Sequence, residues 1–360
     1  MADTSDTASS ISLTEREETS TPPTSTDEEG ASIGFDNDND TDSALGSEDA
    51  EQDTQTLTSS IFNYRWENGR RYHAYRDGEY WCPNDETAQE QLDIGHHIYL
   101  MLLDNRLFLA PINPQPQLVL DIGTGTGIWA IDFADQYPSA NVIGTDLSPT
   151  QPTFIPPNLQ FEIDDAASEW TFPKNSFDFI HVRGLFGSIS DWPKFYEQVL
   201  AHLKPGGYYE QMECSVYCTA DDDTTPPGSP LARWGELFTE AGRRTGKTVG
   251  VIDHQYQWLQ EAGFEDVKEH RFKMPNNPWP SARTPEGKKL KEIGKWRQLE
   301  IQTGIEGWSM AMFTRVLGMS FEEVQLYLAE TRKMWRDKKV HSYTRVGVVY
   351  GRKPGGAKES

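Results

Sequence analysis

The sequence has few cysteines, no long apolar run and almost no basic residues near its start. Cys82, Cys214 and Cys218 are too few and too scattered for a disulfide framework or a zinc site, so we expect buried thiols and no metal. The longest purely apolar run, 98–103, is too short to span a bilayer. Since the first residues also lack the features of a signal or transit peptide, the sequence predicts a cytoplasmic or nuclear protein without a membrane partner.

The acidity of the chain is concentrated in the segment 1–60. This segment holds 16 Asp and Glu, 22 Ser and Thr and one basic residue, Arg16, so it carries 15 of the 23 net negative charges. Such a composition buries too little apolar surface to offset the entropy lost on ordering, which predicts a disordered tail over 1–60. The segment 61–360 carries no basic stripe, so direct nucleic-acid binding is not expected.

Short apolar runs alternate with helical patterns in the middle of the chain. This alternation predicts an α/β fold with a parallel sheet and helices on both faces, its core at 111–220. Before the core we expect an N-terminal lead-in and lid helix, 61–110, with the helix at 87–109. After it we expect a helical acceptor-side insert, 221–340, which includes a strand near 265–273, and a final core strand within 341–354. The core strands are predicted at 118–122, 140–144, 159–163, 177–182 and 208–214.

A glycine-rich turn follows the first core strand and precedes a helix. Gly123, Gly125 and Gly127 give the spacing G-x-G-x-G, and Ile128 stands where a dinucleotide fingerprint has its third glycine. Asp121 lies just before the turn, where a carboxylate repels a pyrophosphate and attracts a cation. The pattern therefore favours S-adenosylmethionine (SAM), which carries an ammonium and a sulfonium, over NAD, and it disfavours an NAD-dependent oxidoreductase.

Acidic residues also end the next two strands. Asp146 closes the strand that follows the glycine turn and its helix, the position at which an acid accepts both ribose hydroxyls. Asp165 follows the third strand and is placed to receive the adenine amino group, although Asp164 is an alternative. Because the carboxyl ends of parallel strands meet at one edge of a sheet, these acids are expected to share one site. The candidate cofactor-binding residues are Asp121, Gly123, Thr124, Gly125, Gly127, Asp146, Leu147, Asp165, Ala166 and Arg183.

The run VLDIGTGTGIWAIDFA at 119–134 resembles motif I of the class I SAM-dependent methyltransferases. The flanking segments NGRRYH (68–73), GTDLSPTQP (144–152), DWP (191–193) and HSY (341–343) are similar to those of the fungal LaeA-type methyltransferases. The resemblance implies a Rossmann-like, seven-stranded sheet whose last strand is antiparallel beside the fifth. LaeA-type proteins are nuclear regulators of secondary metabolism that act with velvet-type partners, whereas other relatives belong to biosynthetic clusters.

No residue is assigned as catalytic from the sequence. Arg183 is expected to face the cofactor, His181 to point away from the side that Arg183 takes, and Glu210 to face the acceptor pocket. Tyr72, Tyr80 and Trp81 are expected to form a lid over the methionine end or to pack the lead-in onto the domain. Two hypotheses follow: a methyltransferase that acts on a small molecule or a protein, and a SAM-binding regulator that acts mainly through partners.

Overall fold

The computed structural model describes residues 62–76, 78 and 80–355, so the predicted tail at 1–60 lies outside the described residues. No helix in these ranges combines the length and apolar character needed to cross a membrane. The strands are β1 Arg65–Glu67, β2 Arg70–Tyr72, β3 Leu118–Ile122, β4 Asn141–Asp146, β5 Leu159–Ile163, β6 Phe177–Arg183, β7 Leu203–Thr219, β8 Glu265–Pro275 and β9 Tyr343–Arg352. The helices are α1 Glu86–Leu102, α2 Ile128–Gln136, α3 Trp192–His202, α4 Pro230–Thr245, α5 Gln255–Ala262, α6 Pro285–Ala311 and α7 Phe321–Arg336.

Seven of the described strands form one central sheet in the order β5-β4-β3-β6-β7-β9-β8. Strands β3 to β7 are mutually parallel, and β9 runs antiparallel between β7 and β8. The expected fold class and the antiparallel last strand are confirmed. The strand predicted inside the helical insert is β8, the edge strand of this same sheet.

Successive side chains of β3 point to opposite faces of the sheet, and each face has its own hydrophobic core. Leu120 and Ile122 pack with α3 and α5 on one face, while Val119 packs with α2 on the other. A further core lies among α4, α6 and α7, where the aromatic side chains Trp234, Phe238, Phe313 and Trp335 meet. These helices cover the sheet edge at which the parallel strands end.

The lid helix α1 is shorter than predicted. It begins at its N-cap Asp85, which accepts the Ala88 N–H and pairs in a bidentate manner with Arg70 of the β1–β2 hairpin. It ends at Leu102 rather than at 109, because Asp104 and Asn105 adopt left-handed backbone conformations with φ of 55° and 60°. A helix cannot continue through such residues, so the chain turns there toward β3.

Glu210 does not face the acceptor pocket, so that expectation is wrong. The side chain is buried in β7, and its Oε2 accepts the backbone N–H groups of Leu109 (2.8 Å) and Ala110 (2.6 Å). Glu210 thus fixes the segment between α1 and β3. Burial raises the pKa of this carboxyl to about 8, against the opposing effect of the two N–H donors.

Glu210 makes stability depend on pH. Its pKa rises on folding, so its contribution is full below its unfolded pKa of 4.5 and is lost as the pH rises through about 8. In Glu210→Gln the amide oxygen accepts both N–H groups. Between pH 5 and 8 we therefore expect the free energy of unfolding of this variant to fall by about 1–3 kcal/mol less than that of the wild type. Urea denaturation at a series of pH values measures this. The exposed Glu197→Gln on α3 should keep the wild-type slope; equal slopes for all three proteins would contradict the assignment.

The glycine turn between β3 and α2 leaves no room for side chains. Gly127 has a φ of +81°, and a Cβ there would lie 2.3 Å from Cζ of Phe161. Gly206 offers a matched comparison, because its φ is +82° but no atom lies within 4 Å of its would-be Cβ. Both positions need glycine for the backbone, but only Gly127 also needs it for packing.

We expect Gly127→Ala to lower the free energy of unfolding by about 3 kcal/mol or more, since backbone strain adds to a steric overlap. Gly206→Ala should cost only the strain, about 1 kcal/mol. Chemical denaturation of both variants tests the difference. Equal losses would show that Phe161 moves aside freely and that the turn is not held by this contact.

Candidate active site

A buried carboxylate lies directly beneath the glycine turn. Asp121 accepts the Thr124 hydroxyl at Oδ2 (2.6 Å) and Nδ1–H of His181 at Oδ1 (2.7 Å). The imidazole of His181 stacks on Trp129 of α2, with ring centroids 3.7 Å apart. Burial lowers the pKa of His181, so this histidine is a neutral donor that orients Asp121. Asp121 thereby ties the turn after β3 to the neighbouring strand β6.

The expectation that His181 points away from Arg183 is wrong. Alternate residues along a strand share a face, and both side chains lie on the side of the sheet that α1 and α2 cover. His181 meets Trp129 of α2, and Arg183 meets His96 and Tyr99 of α1.

Arg183 is held by α1 at the end of β6. Its Nη1 donates to Nδ1 of His96 (3.1 Å), and its guanidinium lies 5.2 Å from the ring centroid of Tyr99. Since Nδ1 accepts, His96 donates from Nε2 to Asp132 (2.9 Å). Burial lowers the pKa of Arg183, but a guanidinium stays charged in proteins. His96 therefore positions a cation at the sheet edge.

Asp146 has carboxylate oxygens bonded to the turn that it faces. Oδ2 accepts the Gly125 N–H (2.8 Å), and Oδ1 accepts the Ser148 N–H (3.0 Å). Burial, together with the charge of Asp121, raises the pKa of Asp146 to about 6, although the backbone donors oppose the shift. Each oxygen has further acceptor capacity for a ligand hydroxyl.

Asp164 and Asp165 both lie beside Asp146 at the sheet edge. Asp165 accepts the Ala167 N–H and the Ser168 hydroxyl, each at 2.9 Å, and its carboxylate lies 3.7 Å from the guanidinium of Arg76. Asp164 accepts only the adjacent Asp165 N–H among the described side-chain hydrogen bonds, and burial raises its pKa. The alternative between these two acids for an adenine group therefore stays open.

A cavity of about 250 Å³ runs along the ends of the parallel strands. Its walls follow the order of the sheet: Asp165 after β5, Asp146 of β4, Gly123 after β3, Arg183 of β6 and Cys214 of β7. Seven of the ten predicted cofactor residues line it, namely Gly123, Gly125, Asp146, Leu147, Asp165, Ala166 and Arg183. Asp121, Thr124 and Gly127 do not line the cavity, but they shape the turn from behind.

Helix α1 closes this cavity over the glycine turn. Leu92 lies 3.2 Å from the would-be Cβ of Gly125, and Asp93 accepts the Thr126 hydroxyl at 2.7 Å. Tyr80 and Trp81 also line the cavity, as expected for a lid, whereas Tyr72 is buried elsewhere beneath the guanidinium of Arg315.

The end of the cavity beyond Arg183 is aromatic and includes groups that the sequence did not reveal. All three cysteines line the cavity, Cys214 and Cys218 near Arg297, and burial raises the pKa of each thiol to about 12. Arg297 and Glu300 of α6 form an ion pair there, and Gln91 of α1 donates to Glu300 (2.9 Å). The aromatic walls include Trp81, Phe186, Trp234, Phe238, Trp308 and Trp335.

Glu213 of β7 also shapes this cavity without lining it. The buried carboxylate accepts the Leu185 N–H (3.1 Å) and the Phe186 N–H (3.3 Å), so it fixes the loop after β6. Burial raises its pKa to about 7. Within the described ranges, no cluster of His, Cys, Asp and Glu has the arrangement of a metal site.

The site fits an adenosyl group bearing a cation. Carboxylates at β4 and after β5 are typical partners of ribose and adenine donors, and the close approach at Gly123 and Gly127 keeps the turn free of side chains. No lysine or arginine lies in the segment 118–136, the β3–turn–α2 unit, to meet a diphosphate.

Comparison with known proteins agrees with this geometry. A family model described as a methyltransferase domain matches residues 94–269. Methyltransferase pytC of Aspergillus terreus is 39% identical over 307 residues, which cover 85% of this chain and 93% of pytC. The secondary metabolism regulator LAE1 of Cochliobolus heterostrophus is 37% identical, covering 80% of this chain and 94% of LAE1.

The protein-methionine methyltransferase laeA of Emericella nidulans is 34% identical over 294 residues, covering 80% of this chain and 76% of laeA. Relatives of this similarity that span most of both chains share more than a fold. The chain therefore belongs to the SAM-dependent methyltransferases of the fungal LaeA type.

Proposed function

We propose that the cavity binds SAM along the sheet edge and directs its methyl group toward the aromatic end. The observation that carries this is the order of groups across the strands. Asp164 and Asp165 follow β5 and Asp146 ends the neighbouring β4, and we assign the first two to the adenine and Asp146 to the ribose. Arg183 stands beyond the glycine turn, where it suits the methionine carboxylate.

The protein mainly positions the reactants, because SAM supplies a methyl group that its sulfonium already activates. Asp121 orders the turn through Thr124 and His181, and His96 aims Arg183 into the cavity. Helix α1 and the Tyr80–Trp81 segment exclude water from the strand ends.

We propose that the acceptor is a small molecule of secondary metabolism. The aromatic end lies beneath helices α4, α6 and α7 and is lined by their tryptophans, which suits an apolar body better than an extended peptide. The relative pytC is named a methyltransferase, and its length is almost fully spanned by this chain. Nuclear location and velvet-type partners stay predictions for this chain.

A second candidate is a SAM-binding regulator, which the names of the LAE1 and laeA relatives favour. One of these, from Emericella nidulans, is named a protein-methionine methyltransferase. A regulator of this kind would bind SAM but transfer no methyl group to a small molecule, so methylation of small molecules separates the two candidates.

Asp146→Ala should weaken SAM binding by about 1.5–3 kcal/mol, because two ribose hydroxyls lose a charged acceptor. SAM affinity of the wild type should fall as the pH drops below about 6, since protonation of Asp146 removes the same acceptor. Isothermal titration at pH 5 to 8 measures both effects. Asp135→Ala, on the exposed face of α2, should bind SAM like the wild type. Unchanged affinity of the Asp146 variant would remove Asp146 from the site.

The acceptor class is tested with methyl-labelled SAM and fungal extracts divided into a small-molecule and a protein fraction. We expect label in the organic-extractable small molecules with the wild type and Asp135→Ala, and much less with Asp146→Ala. Label confined to protein would favour a protein acceptor. SAM binding without label in either fraction would favour the regulator.

A further inference from the structure

The aromatic end of the cavity holds a buried cation with an unused donor. The side chain of Arg297 is 11% exposed, and its Nη1 donates to Glu300. Its Nε has no hydrogen-bond partner among the described residues. The guanidinium lies 5.2 Å from the ring centroid of Trp308, so a nearby ring face helps to hold it.

Arg297 lies on the acceptor side of the predicted methyl position. The sheet places β7 next to β6, on the side away from the glycine turn, and the charge of Arg297 acts on Cys214 of β7 and on Tyr99. Tyr99 in turn lies beside Arg183. Both guanidiniums therefore lie near Tyr99, with Arg183 at the end of β6 and Arg297 on α6.

Among the described residues that line the cavity beyond Arg183, none is available to remove a proton. The thiols of Cys214 and Cys218 have raised pKa values and stay protonated near neutral pH, as does the buried phenol of Tyr99. Glu300 is occupied by Arg297 and by Gln91. No histidine lines the described cavity. A neutral hydroxyl or an ammonium acceptor would need a base that these walls lack.

We infer that the aromatic end binds the carboxylate of a hydrophobic acid and that this carboxylate accepts the methyl group, an inference that rests on the proposed methyl transfer. The guanidinium of Arg297 attracts the carboxylate, and one carboxylate oxygen forms the new C–O bond. As that bond forms, the methyl C–S bond breaks and its electron pair goes to sulfur. One negative and one positive charge are consumed, and no proton is released.

A thioether acceptor fits this end less well. It also needs no base, but its product is a sulfonium cation, which would remain in a low-dielectric cavity beside Arg183 and Arg297. A methyl ester is neutral and leaves both guanidiniums undisturbed. The charges in the walls therefore favour a carboxylic acid over a methionine side chain.

The test uses the full chain saturated with S-adenosylhomocysteine, titrated with 2-naphthoate and with the neutral 2-naphthamide. We expect the acid to bind at least about tenfold more tightly than the amide. Glu300→Gln, which removes a negative charge beside Arg297, should tighten naphthoate binding, and the double variant Arg297→Met, Glu300→Gln should abolish the preference for the acid. Arg243→Met, an exposed arginine of α4, is the control. When SAM replaces S-adenosylhomocysteine, mass spectrometry should detect methyl 2-naphthoate.

Equal binding of acid and amide by the wild type, or a preference that survives in the double variant, would overturn the inference. So would methylation of a methionine peptide by a protein that leaves naphthoate unmethylated. If the Arg297–Glu300 ion pair only stabilised the fold, Glu300→Gln and the double variant would both lose affinity for naphthoate. Our inference instead expects Glu300→Gln to gain affinity. Affinity for S-adenosylhomocysteine should be equal in every protein, so failure of the acceptor site is distinguishable from failure of the cofactor site.

Discussion

The architecture of the site depends on one buried carboxylate whose two oxygens are satisfied by the glycine turn and by a neighbouring strand. Asp121 receives the hydroxyl of Thr124 from its own turn and the imidazole N–H of His181 from β6. A buried charge is tolerated only with such donors, so the shape of the turn and the spacing of β3 and β6 are fixed together. The charge also favours the ionised form of Arg183 and the protonated form of Asp146.

The parts of the site that were predictable lie close together in the sequence. The glycine turn, Asp146 and Asp165 each follow a recognisable strand, and parallel strands bring their ends to one edge without any knowledge of long-range packing. The alternation of short apolar runs with helical patterns predicted the fold class and the five parallel strands of the core. The length of α1 was overestimated because apolar spacing continues past Leu102, although Asp104 and Asn105 are of the residue types that most readily adopt left-handed conformations.

The acceptor half could not be predicted, because it depends on helix packing between distant segments. Gln91 and Glu300 are 209 residues apart in sequence yet share a hydrogen bond. Arg297 and Glu300 look like an ordinary exposed i,i+3 pair on a charged helix, and only the contact of α6 with α1 turns them inward. Glu210 is the opposite case. The sequence suggested that this carboxylate of β7 faces the acceptor pocket, but it accepts backbone N–H groups of the segment before β3 instead.

The position of β9 sets when this protein can fold during synthesis. The last strand lies between β7 and β8, and β8 pairs in the sheet with β9 alone. A nascent chain can therefore assemble the parallel strands early, but the far edge of its sheet stays open until residues 343–352 have left the ribosome. Translation stopped anywhere before β9 yields a chain with unpaired strand edges, a form exposed to aggregation and to proteases.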